Sequence, residues 1–129
     1  MKLNLKITQI LIVIIGIIHA GLAFVEIFFA VFFLQTRFDF PAEIAIQAEP
    51  IVKNAGIYNS FIAAGLLWSA FDTNNPKPLR IFFLVCVIIA GIFGAITLKP
   101  TTLIIQTIPA LIALVLVWKT EPDSPESAL

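Results

Sequence analysis

Residues 10–34, ILIVIIGIIHAGLAFVEIFFAVFFL, decide the fold, because the run is apolar from end to end apart from His19 and Glu26. At a rise of about 1.5 Å per residue, roughly 20 helical residues cross a hydrocarbon core about 30 Å thick. Ile10 to Leu34 therefore reads as a transmembrane helix with length to spare for tilting or projecting. It also exceeds the apolar core of roughly 7–15 residues of a secretory signal, so it reads as a retained span even though Lys2 and Lys6 precede it.

Three further stretches have the same character: Ile51 to Phe71, Leu79 to Leu98 and Thr102 to Trp118. The expected fold is all-α, an integral membrane bundle of four transmembrane helices formed by residues 1–118. Residues 119–129 are expected to be an acidic, proline-bearing, disordered cytoplasmic tail. Composition points the same way: the 129 residues are 60% hydrophobic and 12% charged, with a mean hydropathy of +1.03. A soluble domain carries roughly a quarter charged residues, and this chain has too few to cover its apolar runs in water.

The connections are readable from their chemistry. Asp39 before Pro41, and Glu49 beside Pro50, look like helix starts, with a short interfacial helix expected over Ala42 to Ala48. Asp72 to Pro78 is a polar turn, and Lys99-Pro100-Thr101 is tight enough to make spans three and four antiparallel neighbours. Lys2, Lys6, Lys77, Arg80 and Lys119 fall on one side, against Arg37, Lys53 and Lys99 on the other. The excess predicts a multi-pass protein of the cell membrane with both termini in the cytoplasm, and places Trp68 and Trp118 near the same membrane face.

Several classes of chemistry lack an anchor. Net charge is zero and the basic residues are dispersed, so no nucleic-acid surface is expected. One histidine, with no second ligand at i+3 or i+4 and no CxxC pair, predicts no metal site and offers no serine-type triad. No GxGxxG or Walker pattern is present, and no cofactor is expected. Cys86 sits in an apolar run and reads as a small hydrophobe.

What remains is the polar content of the spans. His19 and Glu26 are seven residues apart, nearly two turns, and share a helix face with Gly16, Ala23 and Ala30. Small and polar residues on one face with bulky ones elsewhere mark a helix packing inward. By depth, Glu26, Asn54, Tyr58, Asn59 and Gln106 belong to the same half of the bundle, together with Thr97, and His19 lies about 10 Å deeper than Glu26. Pro109 withholds its N–H from the Ile105 carbonyl near that level. Metal binding by His19 and Glu26 together is excluded by their separation. The cluster has three readings: hydrogen bonds that hold helices together, a pocket for a ligand or proton, or contact with a partner subunit. Ala90-Gly91 and Gly94-Ala95 read as close helix packing.

These residues also carry a resemblance. His19, Glu26-Ile27-Phe28, the block Asn54 to Gly65, the block Ala90 to Thr97, and Gln106 with Pro109-Ala110 and Ala113-Leu114 resemble the bacterial membrane protein family catalogued as domain of unknown function 1304. The block from Asn54 is the most specific. Family members usually have methionine where this chain has Ile27, tryptophan near Ala30, glutamine at Ala55 and glycine at Ser60. The resemblance implies a four-helix protein of the bacterial inner membrane with no established activity. The function expected first is binding or transport of a small amphipathic molecule or a proton at His19, Glu26, Asn54, Tyr58, Asn59 and Gln106. The alternatives are an accessory subunit docked on a membrane protein partner or a second copy, and an enzyme acting on a lipid-soluble substrate, with Glu26 as proton donor or acceptor. In each case the lipid bilayer is the surrounding partner.

Overall fold

The first long apolar run does not stay one helix. In the computed structural model, which describes residues 2–121, α1 (Lys2–Phe28) stops at Phe29, where φ −134° and ψ 33° leave helical space, and α2 (Ala30–Phe38) follows. The break is local, since Phe29 N–H still donates to the Val25 carbonyl and the Phe29 carbonyl accepts from Phe33 N–H, both at 2.8 Å. Crowded aromatic rings accompany it: Phe24 lies 5.1 Å from Phe28 and 5.9 Å from Phe29, a pair that a regular helix would point about 100° apart. Asp39 then ends α2 in the left-handed region (φ 60°), a conformation that a short polar side chain tolerates, and its N–H donates to Leu34.

Two further expectations need correcting. The separate interfacial helix over Ala42 to Ala48 is the first part of a continuous α3 (Ala42–Phe71), with Pro50 inside it rather than at its start. Pro50 has no N–H to give the Ile46 carbonyl, a cost the helix absorbs without ending. Secondly, the described residues form five α-helices and a π-helical turn in place of four uniform spans. After α4 (Pro76–Thr97) and the turn at Leu98–Pro100, the chain is helical again and takes the wider π pattern over Leu103–Thr107 before α5 (Ile108–Thr120). Pro109 explains the position of the π turn: it removes a donor at the start of α5, and Ile108 N–H reaches back five residues to Leu103. Three stretches are long and apolar enough to cross a membrane: Asn4–Phe28, Pro76–Thr97 and Leu103–Thr120. α3 is long enough, but Asn54, Tyr58, Asn59 and Ser60 lower its hydropathy.

The helices are packed with polar and small groups inward. On α1 the buried positions are Thr8, Ile12, Ile15, Gly16, His19, Ala23 and Glu26, at helical spacing, while Ile10, Ile14, Ile17, Phe24 and Phe28 are each about half exposed or more. α5 buries Ala110, Ala113 and Val117 completely and leaves Ile112, Val115 and Trp118 outside. A shared core joins Ile12 and Ile15 of α1, Leu66 and Ala70 of α3, Leu84 and Val87 of α4, and this stripe of α5. Water would favour the reverse distribution; a hydrocarbon surround removes the penalty on exposed aliphatics and leaves close packing and hydrogen bonding to hold the helices together.

One end of the bundle is closed by a charged latch that composition conceals. Arg80 donates to the carbonyls of Ser69 (2.9 Å) and Ala70 (3.2 Å) and makes a buried ion pair with Glu121, and Lys77 donates to the Glu121 carbonyl at 2.8 Å. Gln9 from α1 also donates to Ala70 (2.8 Å), so the start of α1, the end of α3, the start of α4 and the end of α5 meet here. Trp68 and Trp118 belong to this end, both mostly exposed, with Lys77 lying 5.6 Å from the Trp118 ring centre. Lys119, Thr120 and Glu121, which the sequence assigns to the tail, continue and cap α5; residues 122–129 of the expected disordered tail lie outside the described residues.

Candidate functional site

α1 and α3 pack against each other more extensively than any other pair of elements, and Gly56 permits their approach. A Cβ at Gly56 would stand 2.8 Å from Ile27 Cγ1, 3.0 Å from Glu26 Cβ and 3.1 Å from the Ala23 carbonyl oxygen. The last of these is backbone and cannot rotate away. We expect Gly56→Leu to push the two helices apart at a cost of about 1–3 kcal/mol, read as a lower midpoint in a denaturation titration in mild detergent, whereas Gly21→Leu, where nothing lies within 4 Å, leaves the midpoint unchanged.

One turn beyond Gly56 on the same face is Asn59, whose Nδ2 donates to Glu26 Oε2 at 2.7 Å. Glu26 is 9% exposed, and among the described residues Oε1 has no donor. The pair borders a cavity of about 210 Å³ that takes wall residues from α1 (Leu22, Glu26), α2 (Phe33, Arg37, Phe38), α3 (Asn59), α4 (Ala90, Gly94, Leu98) and the segment leading into α5 (Thr102, Ile105, Gln106). Gln106 sits within the π turn, and such turns re-aim side chains that a regular helix would direct elsewhere. The close approach of α4 here depends on Gly91, where a Cβ would come within 2.3 Å of Thr107 Oγ1.

The structure thus gathers Glu26, Asn59 and Gln106 around one cavity and leaves the other three candidate residues elsewhere. His19 is buried on α1 and its Nδ1 lies 2.9 Å from the Ile15 carbonyl of its own helix, one turn back. Asn54 and Tyr58 share the outer face of α3; Tyr58 is 60% exposed, with its ring edge-on to Phe61 at 6.2 Å. Thr97 is exposed and donates to the Phe93 carbonyl within α4. Among the described residues no group of His, Cys, Asp and Glu side chains is placed to hold a metal ion.

Arg37, a loop charge by its place in the sequence, is a further wall residue. It follows Glu26 by eleven residues, close to three helical turns, which is the signal that could have found it. Its Nη2 donates to Thr101 Oγ1 at 2.6 Å and its guanidinium lies 5.5 Å from the Phe38 ring centre. The neighbouring acid, Asp39, pairs instead with Lys99 at 3.1 Å, so among the described residues Arg37 has no carboxylate partner.

Four helices around a small cavity, with a carboxyl, two amides and a guanidinium in a largely apolar lining, define a helical protein with an internal polar site, and three of its helical stretches are long and apolar enough to cross a membrane. The family described as "Protein of unknown function (DUF1304)" matches residues 13–118, and the chain belongs to that family. No curated protein and no solved structure matches the chain.

Proposed function

We propose that the protein is an integral membrane protein that binds a small amphipathic molecule in the cavity beside Glu26, either to hold it or to pass it across the bundle. The observation that carries the reading is the convergence of Glu26, Asn59, Gln106 and Arg37 on one cavity whose remaining wall is mostly apolar. Hydrogen bonding between elements accounts for the Glu26–Asn59 pair and the Arg37–Thr101 bond, and leaves Gln106 and the cavity itself without a role.

In this reading α3 is the fourth crossing. Its start follows α2, and its end hydrogen-bonds through Ala70 to Gln9 and Arg80, at the starts of α1 and α4. If α1 and α4 cross the bilayer in the same direction, α3 has to return between them, with Asn59 sheltered on the Glu26 side and Asn54 and Tyr58 on the outer face. The excess of basic residues at the latch end favours placing both described termini in the cytoplasm.

The test is a cavity-filling variant. Ala90 lines the cavity, and we expect Ala90→Phe to occupy it while the bundle still folds. Mass spectrometry of protein gently extracted from membranes should find a small amphipathic molecule with the unaltered chain and at least a tenfold smaller amount with Ala90→Phe. Equal recovery from both proteins would remove the cavity as the binding site.

A further inference from the structure

The cavity has polar groups at two levels with opposite character. At Glu26 the wall carries a carboxyl whose Oε2 accepts from Asn59, with the neutral amide of Gln106 lining the same cavity, and an anionic head placed against that carboxyl would meet oxygen against oxygen. At Arg37 it is a cation with five donors in a planar fork, of which Thr101 takes one, with no carboxylate beside it among the described residues. Phe33 lies between the two levels in the chain, Leu98 and Ile105 complete the apolar wall, and Leu22 lies one turn beyond Glu26. A guanidinium that lines a cavity and lacks a counter-ion is an anion receptor, and its fork matches the paired oxygens of a carboxylate or phosphate.

Resting on the binding reading above, we infer that the ligand is an amphipathic anion whose carboxylate or phosphate pairs with Arg37 and whose apolar chain runs inward toward Glu26. The orientation follows from the two ends: the amides of Asn59 and Gln106 are neutral donors beside a carboxyl, whereas the Arg37 level offers an anion a cationic fork, and the apolar wall begins directly beside it. Hydrogen bonds to a charged group are stronger than those between neutral ones, so loss of the guanidinium should weaken retention about tenfold or more.

The experiment uses the full chain in phosphatidylcholine nanodiscs and three photoreactive eight-carbon probes carrying a diazirine: octanoic acid, octyl phosphate and octylamine, with labelled residues located by peptide mapping. The acid, the phosphate or both should label the cavity wall at least tenfold more than the amine does. The stronger of the two acids then identifies whether a carboxylate or a phosphate ester is preferred. Arg37→Gln should lose that labelling and Arg37→Lys should keep much of it. Equal labelling by amine and acids, or unchanged labelling in Arg37→Gln, would overturn the inference. Cavity labelling by the amine alone would leave the binding site standing with a different ligand class, whereas labelling confined to outward residues such as Ile112 and Phe93 for all three probes would sink the binding reading as well. The comparison of acid with amine needs only the unaltered chain, so it stands even if Arg37→Gln folds poorly.

Discussion

Arg80→Leu should lower the stability of the bundle by about 3–5 kcal/mol, the largest single effect expected in this chain. The side chain binds three partners at once, the carbonyls of Ser69 and Ala70 and the carboxylate of Glu121, and it is 6% exposed. Removing it takes the ion-pair partner from the Glu121 carboxylate and leaves Lys77 on the Glu121 carbonyl; Glu121 is itself 7% exposed, and its Oε2 already has no hydrogen-bond partner among the described residues. A buried carboxylate without its cation is costly in any solvent, and at the end of α5 it would draw water or unwind the last turn. The double variant Arg80→Leu/Glu121→Leu removes both charges and should recover more than half of the loss. Reversible unfolding in mixed micelles measures both. If the double variant is as unstable as the sum of the two single ones, the pair is not coupled and the latch is misread.

Asn59→Leu should cost about 1–3 kcal/mol, on a par with Gly56→Leu, by leaving the Glu26 carboxyl without the one donor it has among the described residues. The substitution also tells the structural and ligand-binding roles apart. Glu26→Gln keeps the shape of the side chain and a carbonyl oxygen able to accept from Asn59, so its stability should fall by no more than about 1 kcal/mol. Asn59→Leu combined with Glu26→Leu replaces both polar groups by apolar ones and should fold at least as well as Asn59→Leu alone, so any change in retained ligand in the double variant reports on the cavity and not on folding. Should Asn59→Leu prove neutral, water or another group must already serve Glu26, and the hydrogen bond between α1 and α3 contributes little.

These expectations show which parts of the molecule the sequence disclosed. Depth could be counted along the chain at a fixed rise per residue, so Glu26, Asn59 and Gln106 were placed at a common level without any structure. Rotation could not. Asn59 and Tyr58 are consecutive, and the helical turn of about 100° between them means that only one can face Glu26. The choice of Asn59 is made by Gly56, which lets α1 approach on that side, and no composition rule for α3 singles it out. His19 shares the inward face of α1 as its spacing from Glu26 implied, yet it is tied to the Ile15 carbonyl of its own helix.

Charges near the ends were harder still. Counting Lys and Arg treats Arg37, Lys77 and Arg80 alike, because the count depends only on which side of a span they fall. Their roles differ through contacts made across long sequence separations: Arg80 reaches Glu121, and Arg37 turns into the cavity because α2 carries the helical register past Phe29. Glu121 follows a tryptophan and a lysine and precedes a proline-bearing segment, a setting that reads as solvated tail; only the packing of α5 against α4 makes it an internal residue. The hydropathy of α3 was lowered by the same residues, Asn54, Tyr58, Asn59 and Ser60, that made it interesting as a site, so chemistry and span length competed in one window.

All of this depends on hydrocarbon surrounding the exposed isoleucines and phenylalanines of α1, α4 and α5. Washing isolated membranes at alkaline pH with carbonate is the most direct measurement. The account predicts that the protein stays in the membrane pellet and is released only by detergent. Recovery of the chain in the wash, folded and monodisperse without detergent, would contradict it.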